Sequence, residues 1–261
     1  MFCSERTGFV KIDLHVHTKE RSPCGRSGEE EMVQTAIVFG LDGLVFTDHH
    51  RLVPLDRLEE LNRKYAPFRV FGGIEVTVTE REDVLVLGIR DSMLETRDWS
   101  YSELFAFVRR RGGFLVLAHP FRYRDEIDID MERYPPDAIE VHSKNTGACD
   151  EPQIRAVLTC LGLLPLYNSD AHHADHVGVY YNRLARVPKD ERDLVEILRA
   201  GEYTCHGVDE RIAELNGEIE ERENLIRDMI AQGQDRDDYR RVTGHWAGHY
   251  DRVAAGKSYQ I

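Results

Sequence analysis

Seven short, β-rich apolar runs separated by segments of helical spacing constrain this 261-residue chain more than any other feature. Strands that alternate with helices build βα units around a parallel sheet or barrel. The runs cover residues 10–16, 43–47, 69–76, 84–89, 114–118, 138–141 and 164–168. Between them, residues 27–39, 54–65, 102–111, 152–161 and 189–200 read as helices. Ser27 and Ser102 are placed to cap two N-termini, and Gly40, Gly112 and Gly201 to end three helices. A chain of this length buries one substantial α/β core without staples.

The pattern changes after residue 207. Residues 209–230 are Glu-rich, with Ile212, Leu215, Ile219, Leu225, Ile226 and Met229 near helical spacing, and a weaker helical stretch covers 237–255. The reading is therefore an α/β barrel over 1–207 and a helical extension over 208–261. The extension either packs on the barrel or pairs with a second subunit as a homo-oligomer. Five cysteines without CxxC spacing indicate neither a disulfide framework nor a thiolate zinc site. No segment, including residues 1–10 with Glu5 and Arg6, carries the apolar run of a leader or a membrane span, so a soluble cytoplasmic protein is expected. A formal net charge of −13 disfavours a broad basic face for nucleic acid and leaves small anions to local Arg, Lys or metal charge.

Chemistry-bearing residues fall at the C-terminal ends of the predicted strands, the active rim of a βα barrel. The first strand carries Asp13, His15 and His17. Residues two apart on a strand share a face, so both imidazoles can serve one metal. The second strand ends in Asp48, His49 and His50, the third in Glu75, the fifth in His119, the sixth in Glu140 and His142, and the seventh in Asp170, His172 and His173. Singly, each has an ordinary structural explanation. So many imidazoles and carboxylates on one rim demand partners or metals.

Asp-Leu-His-Val-His at 13–17, Thr-Asp-His at 47–49, Gly-Ile-Glu at 73–75, Ala-His-Pro at 118–120 and Ser-Asp-Ala-His at 169–172 resemble, in order, the motifs of the PHP (polymerase and histidinol phosphatase) superfamily. The resemblance spans about residues 10–207. It implies a distorted (β/α)7 barrel holding two or three divalent ions, manganese, iron or zinc, and a metal-dependent phosphoesterase activity. Carried over by position, His15, His17, Glu75 and Asp170 hold the first ion, Glu75 bridges to a second on His119, and His49 and His172 hold a third. Asp48, His50 and His142 become ligands or their supports. Two positions depart from the pattern: Leu85 stands where many members have a histidine, and Ser22-Pro23-Cys24 where many have an aspartate or histidine. His142 is the expected compensation for the first, and Cys24 can bind a soft metal as thiolate.

The expected chemistry is hydrolysis of a small phosphorylated metabolite or nucleotide by metal-activated water. His50, His142 and His173 are the candidate general acids. Arg122, Lys144, Arg21 and Arg183 are candidate phosphate clamps, and Asn145 and Asn168 candidate orienting amides. His245 and His249 are spaced for one helix face but lack the glutamate of a zinc protease, and are read as surface packing or a lid. Two other readings compete: an amidohydrolase-type C–N or ester hydrolase on the same barrel, and a degenerate, non-catalytic interaction module.

Overall fold

The computed structural model describes residues 9–261; Cys3, Glu5 and Arg6 lie outside the described residues. Nine strands among them form one sheet: β1 (Val10–Val16), β2 (Gly43–Phe46), β3 (Arg69–Thr77), β4 (Asp83–Leu87), β5 (Phe114–Leu117), β6 (Ala138–His142), β7 (Leu164–Tyr167), β8 (Tyr180–Leu184) and β9 (Tyr203–Gly207). Their order is β7-β6-β5-β4-β3-β2-β1-β8-β9. The sheet curls until its ends meet: Asn182 of β8 donates to the Tyr167 carbonyl at 2.8 Å and the Tyr203 hydroxyl to the Pro165 carbonyl at 2.8 Å. The result is a nearly closed, distorted α/β barrel.

Two features go beyond the seven expected strands. Strands β8 and β9 carry Tyr, Asn, Arg, Thr and His, so no apolar run announces them. Strand β4 runs antiparallel to both neighbours, β3 and β5, which brings its N-terminal end to the rim where its parallel neighbours end. That inversion decides which of its residues can reach the site.

The helices α1 (Glu29–Val38), α2 (Leu55–Lys64), α3 (Met93–Thr96), α4 (Tyr101–Arg111), α5 (Glu151–Leu161) and α6 (Glu191–Arg199) cover the barrel. Ser100 caps α4 in place of Ser102, because Glu103 reciprocates from the third helical position. Gly28 precedes α1, and the Ser27 hydroxyl instead accepts from the Ala174 amide at 3.2 Å. Inside the barrel, Ile12, Leu14, Val45, Phe71, Leu85, Val116 and Leu166 pack with Leu194 and Leu198 of α6. Leu85 pairs directly across from Glu75, so it is the apolar floor beneath the rim.

The extension folds onto its own barrel. Helix α7 (Asp209–Ala231) buries Leu215, Ile219, Ile226 and Met229 against Val179, Tyr180, Tyr239 and Tyr259. The single helix expected over 237–255 is two, α8 (Arg236–Thr243) and α9 (Gly248–Ala254), separated where Gly244 turns left-handed at φ 70°. His245 and His249 therefore do not share a helix face. No helix of the described residues is long and apolar enough to cross a membrane.

Candidate metal centre

His15, at the end of β1, and His17, just beyond it, face the same way, and their Nε2 atoms converge to 2.9 Å. Asp170 Oδ1 lies 3.3 Å from the first and 3.1 Å from the second. Glu75 is the hub: Oε2 approaches His17 Nε2 at 3.1 Å and His49 Nδ1 at 3.0 Å, while Oε1 is 3.1 Å from His119 Nε2. Four overlapping groups present converging ligand atoms: His15, His17 and Asp170; His15, Glu75 and His119; His49, Glu75 and Asp83; and His17, Cys24, His49 and His172. His119 and Asp170 adopt left-handed backbone angles, φ 26° and 49°, unusual for residues with a Cβ and sustained only where the surroundings over-determine them.

The donor set fits divalent cations. Glu75 Oε2 and Asp170 Oδ1 are buried without a hydrogen-bond partner, although buried carboxylate oxygens are rarely left so. Bonds of about 2.0–2.2 Å from imidazole and carboxylate to zinc place tetrahedral ligand atoms roughly 3.3 Å apart, and the separations around Asp170 Oδ1 are of that size.

Comparison with known proteins settles the family. A model of the PHP domain matches residues 13–253. The chain belongs to the PHP family. No curated protein matches it. Among solved structures it resembles PsfC from Pseudomonas syringae, with a TM-score of 0.61 and 22% identity over 80% of this chain and 97% of that one. A two-domain Bacteroides vulgatus protein containing a predicted PHP-like metal-dependent phosphoesterase gives a TM-score of 0.57 and 15% identity over 79% of this chain and 67% of that one. The lesion-specific endonuclease PfuEndoQ from Pyrococcus furiosus gives 0.55 and 17%, over 76% of this chain and 57% of that one. At these identities the structures speak for the shared fold.

The PHP rim is held by a layer of hydrogen bonds that orient its imidazoles. Glu140 Oε1 is 3.1 Å from His15 Nδ1 and accepts from Asn168 Nδ2 at 2.9 Å, while Oε2 accepts from the His119 amide at 2.9 Å. Asn182 in turn donates to Asn168 at 2.9 Å. Ser22 Oγ is 3.2 Å from His17 Nδ1 and donates to Asp48 at 2.7 Å. Partners of this kind fix tautomer and ring direction, and their loss typically costs 10–100-fold in metal affinity. Glu140→Gln is accordingly expected to weaken metal binding by about 10–100-fold with the fold retained. Competition with a chromophoric chelator measures it, and unchanged affinity would deny Glu140 this role.

Several candidates lie elsewhere. Asp48 is buried among the Thr18 amide, Ser22 and Arg21, so it braces the loop after β1 rather than facing the ligand groups. Arg21 is consumed by that contact and by Glu29, so it is not free to clamp phosphate. Glu140 and His142 are two apart, yet the β6–β7 register shifts between them, and the bulge turns His142 away to Glu151 at 3.5 Å and onto the Tyr180 ring. His142 thus does not stand in for the residue missing at Leu85; Asp83, delivered by the antiparallel β4, is the carboxylate that lies beside His49 and Glu75. No sequence signal marks it, because β4 presents its N-terminal end to the rim where its parallel neighbours present their C-terminal ends. His50 accepts from the Thr77 amide, exposed His173 pairs with Asp175, and Arg183 lies over Phe9 on β8; none joins a converging group. Arg122 and Asn145 do reach the centre: Arg122 Nη1 is 3.4 Å from His119 Nε2, and Asn145 Nδ2 donates to Asp170 Oδ2. Lys144, beside Asn145, donates to His176 Nδ1 at 2.7 Å, and burial lowers its ammonium to about 8.

Burial opposes a charged imidazole at His17, but the Asp170 and Glu75 carboxylates, each 3.1 Å from its Nε2, overcome it and lift the ring to about 9. His15 is likewise held well above its ordinary value, with burial outweighed by Asp170, Glu140 and Glu75. Burial disfavours the anions at Glu75 and Asp170, yet the surrounding imidazoles hold both well below the usual carboxylate range. With the two Nε2 atoms 2.9 Å apart, only one of them can carry a proton between them, so the His15–His17 pair of the metal-free protein retains at neutral pH a proton that an incoming cation must displace. Metal affinity should fall as pH falls, with about one proton released per first ion bound near pH 7. Calorimetric titration in buffers of different ionisation enthalpy counts it, and zero release would contradict this charge state.

Proposed function

We propose that this PHP protein is a metal-dependent phosphoesterase acting on small phosphorylated metabolites or nucleotides. The observation that carries the reading is the meeting of an anionic, imidazole-rich cluster centred on Glu75 with the guanidinium of Arg122, 3.4 Å from His119. The first would hold divalent cations, and the second would grip an oxyanion presented to them. In this reading His15, His17 and Asp170 would hold one ion, Glu75 and His119 a second, and His49, His172 and Cys24 a third, with Asp83 beside His49 and Glu75 as a further donor. When bound, such ions supply an activated water and compensate charge on a phosphoryl oxygen. Glu140 and Ser22 fix the imidazoles, Asn145 fixes Asp170, and Arg122 orients the phosphoryl group. Manganese, iron and zinc all suit this nitrogen- and oxygen-rich set. Free cysteines at 24, 149, 160 and 205 suit a reducing cytoplasm.

Protein purified without chelator should carry at least two such ions per chain and, with manganese added, release phosphate from a panel of phosphoesters. Chelation should abolish the turnover. Loaded protein that cleaves no phosphoester, while hydrolysing amides or carboxylic esters, would overturn the reading. For the third ion, cobalt-loaded protein should show a thiolate-to-metal charge-transfer band in the near ultraviolet that disappears in Cys24→Ser. A wild-type spectrum without the band would remove Cys24 from the ligand set.

A further inference from the structure

A small cavity lies where the C-terminal extension meets the rim beside the metal centre. Its lining combines Arg122 and Lys144 of the barrel with Trp246, His249, Arg252 and Tyr259 of the extension, and its enclosed free volume is about 10 Å³ beneath a mouth open to solvent. That is room for about one water-sized group, such as a single phosphate oxygen, with the rest of a bound group in the open mouth. Three of the lining residues are cationic, and among the described residues none is a carboxylate. Outside the lining, Arg252 is partly neutralised by Asp150 at 2.7 Å and Arg122 lies 3.9 Å from Asp170, while Lys144 donates to neutral His176 and feels Asp170 and Glu218 at longer range.

The polar atoms of this wall are unusually short of partners. Arg122 Nε, His249 Nδ1, Arg252 Nε and the Tyr259 hydroxyl are all buried without a hydrogen bond, although the Tyr259 hydroxyl has the Arg222 guanidinium nearby. Native proteins leave few such atoms unpaired, and several on one small cavity point to a polar occupant. The aromatic groups hold the wall rigid. Trp246 lies over the Arg122 guanidinium at 4.9 Å and edge-on to Tyr123, and His249 stacks on Tyr259 with ring centroids 4.4 Å apart. Gly248 leaves room for the indole, since a Cβ there would fall 2.1 Å from the Trp246 ring and displace it.

We propose that the extension forms part of the substrate site: Trp246, His249, Arg252 and Tyr259 close a cationic pocket with Arg122 and Lys144 that binds the oxyanion of a terminal phosphate and restricts the enzyme to small phosphomonoesters. This rests on the phosphoesterase reading for its reaction, and on the cavity alone for its ligand. Trp246 and Arg252 also border a second, wider groove of about 200 Å³ with Phe121 and Lys257, so the indole stands between the two spaces. Removing it joins them and admits a second ester substituent. A diester or a nucleic-acid strand, the substrate type of the endonuclease relative, needs that extra room at the phosphorus.

The test uses the full-length, metal-loaded protein. Inorganic phosphate binding is measured by calorimetry, and p-nitrophenyl phosphate is compared with bis(p-nitrophenyl) phosphate, for wild type, Lys144→Met, Tyr259→Phe and Trp246→Ala. Phosphate affinity should fall at least about tenfold in Lys144→Met and about threefold in Tyr259→Phe, for one lost hydrogen bond or charge contact. Trp246→Ala should raise the diester-to-monoester ratio of kcat/KM at least about tenfold, as should the milder Gly248→Ala, which displaces the indole without removing it. Metal content and melting temperature accompany each variant. Phosphate that binds wild type and is lost in Lys144→Met, with no ester cleaved, would keep the pocket and overturn the phosphoesterase reading. Phosphate affinity and ester ratio unchanged in folded Lys144→Met, Trp246→Ala and Gly248→Ala would overturn the pocket, leaving the extension a packing element.

Discussion

Glu75→Gln is expected to lower kcat/KM on any phosphoester substrate by at least about a thousandfold, on the order of 4 kcal/mol of transition-state stabilisation, and to reduce bound metal by at least one ion per chain. The size follows from its position: the two carboxylate oxygens meet His17, His49 and His119 at 3.0–3.1 Å and belong to two of the converging ligand groups. The amide keeps the shape and removes the charge that draws imidazoles and cations together. It also places a donor against imidazole nitrogens needed as ligands, so the loss exceeds that of an ordinary surface carboxylate. Elemental analysis and steady-state kinetics of the same preparation check it. Full metal content with a rate loss below tenfold would show that Glu75 holds no ion.

The largest effect on stability is expected at Asp13, which shares the inward face of β1 with the imidazoles but lies below them. Its Oδ1 accepts from the Ser169 amide at 3.1 Å and the His15 amide at 3.3 Å, and its Oδ2 from the Gly178 amide at 3.0 Å and the Ser169 hydroxyl. Burial pushes its carboxyl up to about 6 against these bonds, so it is an anion at neutral pH. Asp13→Ala strands several buried donors at once and should cost about 3–5 kcal/mol. For a chain of this size that is a fall in Tm of roughly 6–20 °C. Asp13→Asn, which keeps an acceptor, should lose less. Thermal unfolding of metal-free protein separates this effect from metal loading, and a shift below 2 °C in the alanine variant would show that other contacts hold β1 to the loop after β7.

Much of the barrel and several members of the centre are legible in the residues themselves. Strands β1 to β7 are short apolar runs, and the hydrophobic effect buries such runs wherever the chain places them. His15 and His17 share a face because strand side chains alternate, and that holds before any tertiary contact forms. The tyrosine-rich β8 and the polar β9 escape the same reading, since their place beside β1 is earned by backbone pairing and closure of the sheet rather than by apolar content.

Tertiary structure decided the rest, through direction and register. Asp83 enters the site because β4 runs backwards between β3 and β5, a choice made by neighbouring strands. His142 leaves it because a register shift in β6 re-aims one side chain while leaving Glu140 facing inward to hold His15. Arg21 and Asp48, both plausible site residues by position, neutralise each other once the loop after β1 closes. Trp246, His249 and Tyr259 reach the rim only because α7 packs on β8 and carries the following helices back across the barrel mouth. Local sequence determines which residues can be ligands and which face of a strand they occupy. Strand direction, bulges and the return of the extension decide which of them meet, because those depend on contacts between segments far apart in the chain.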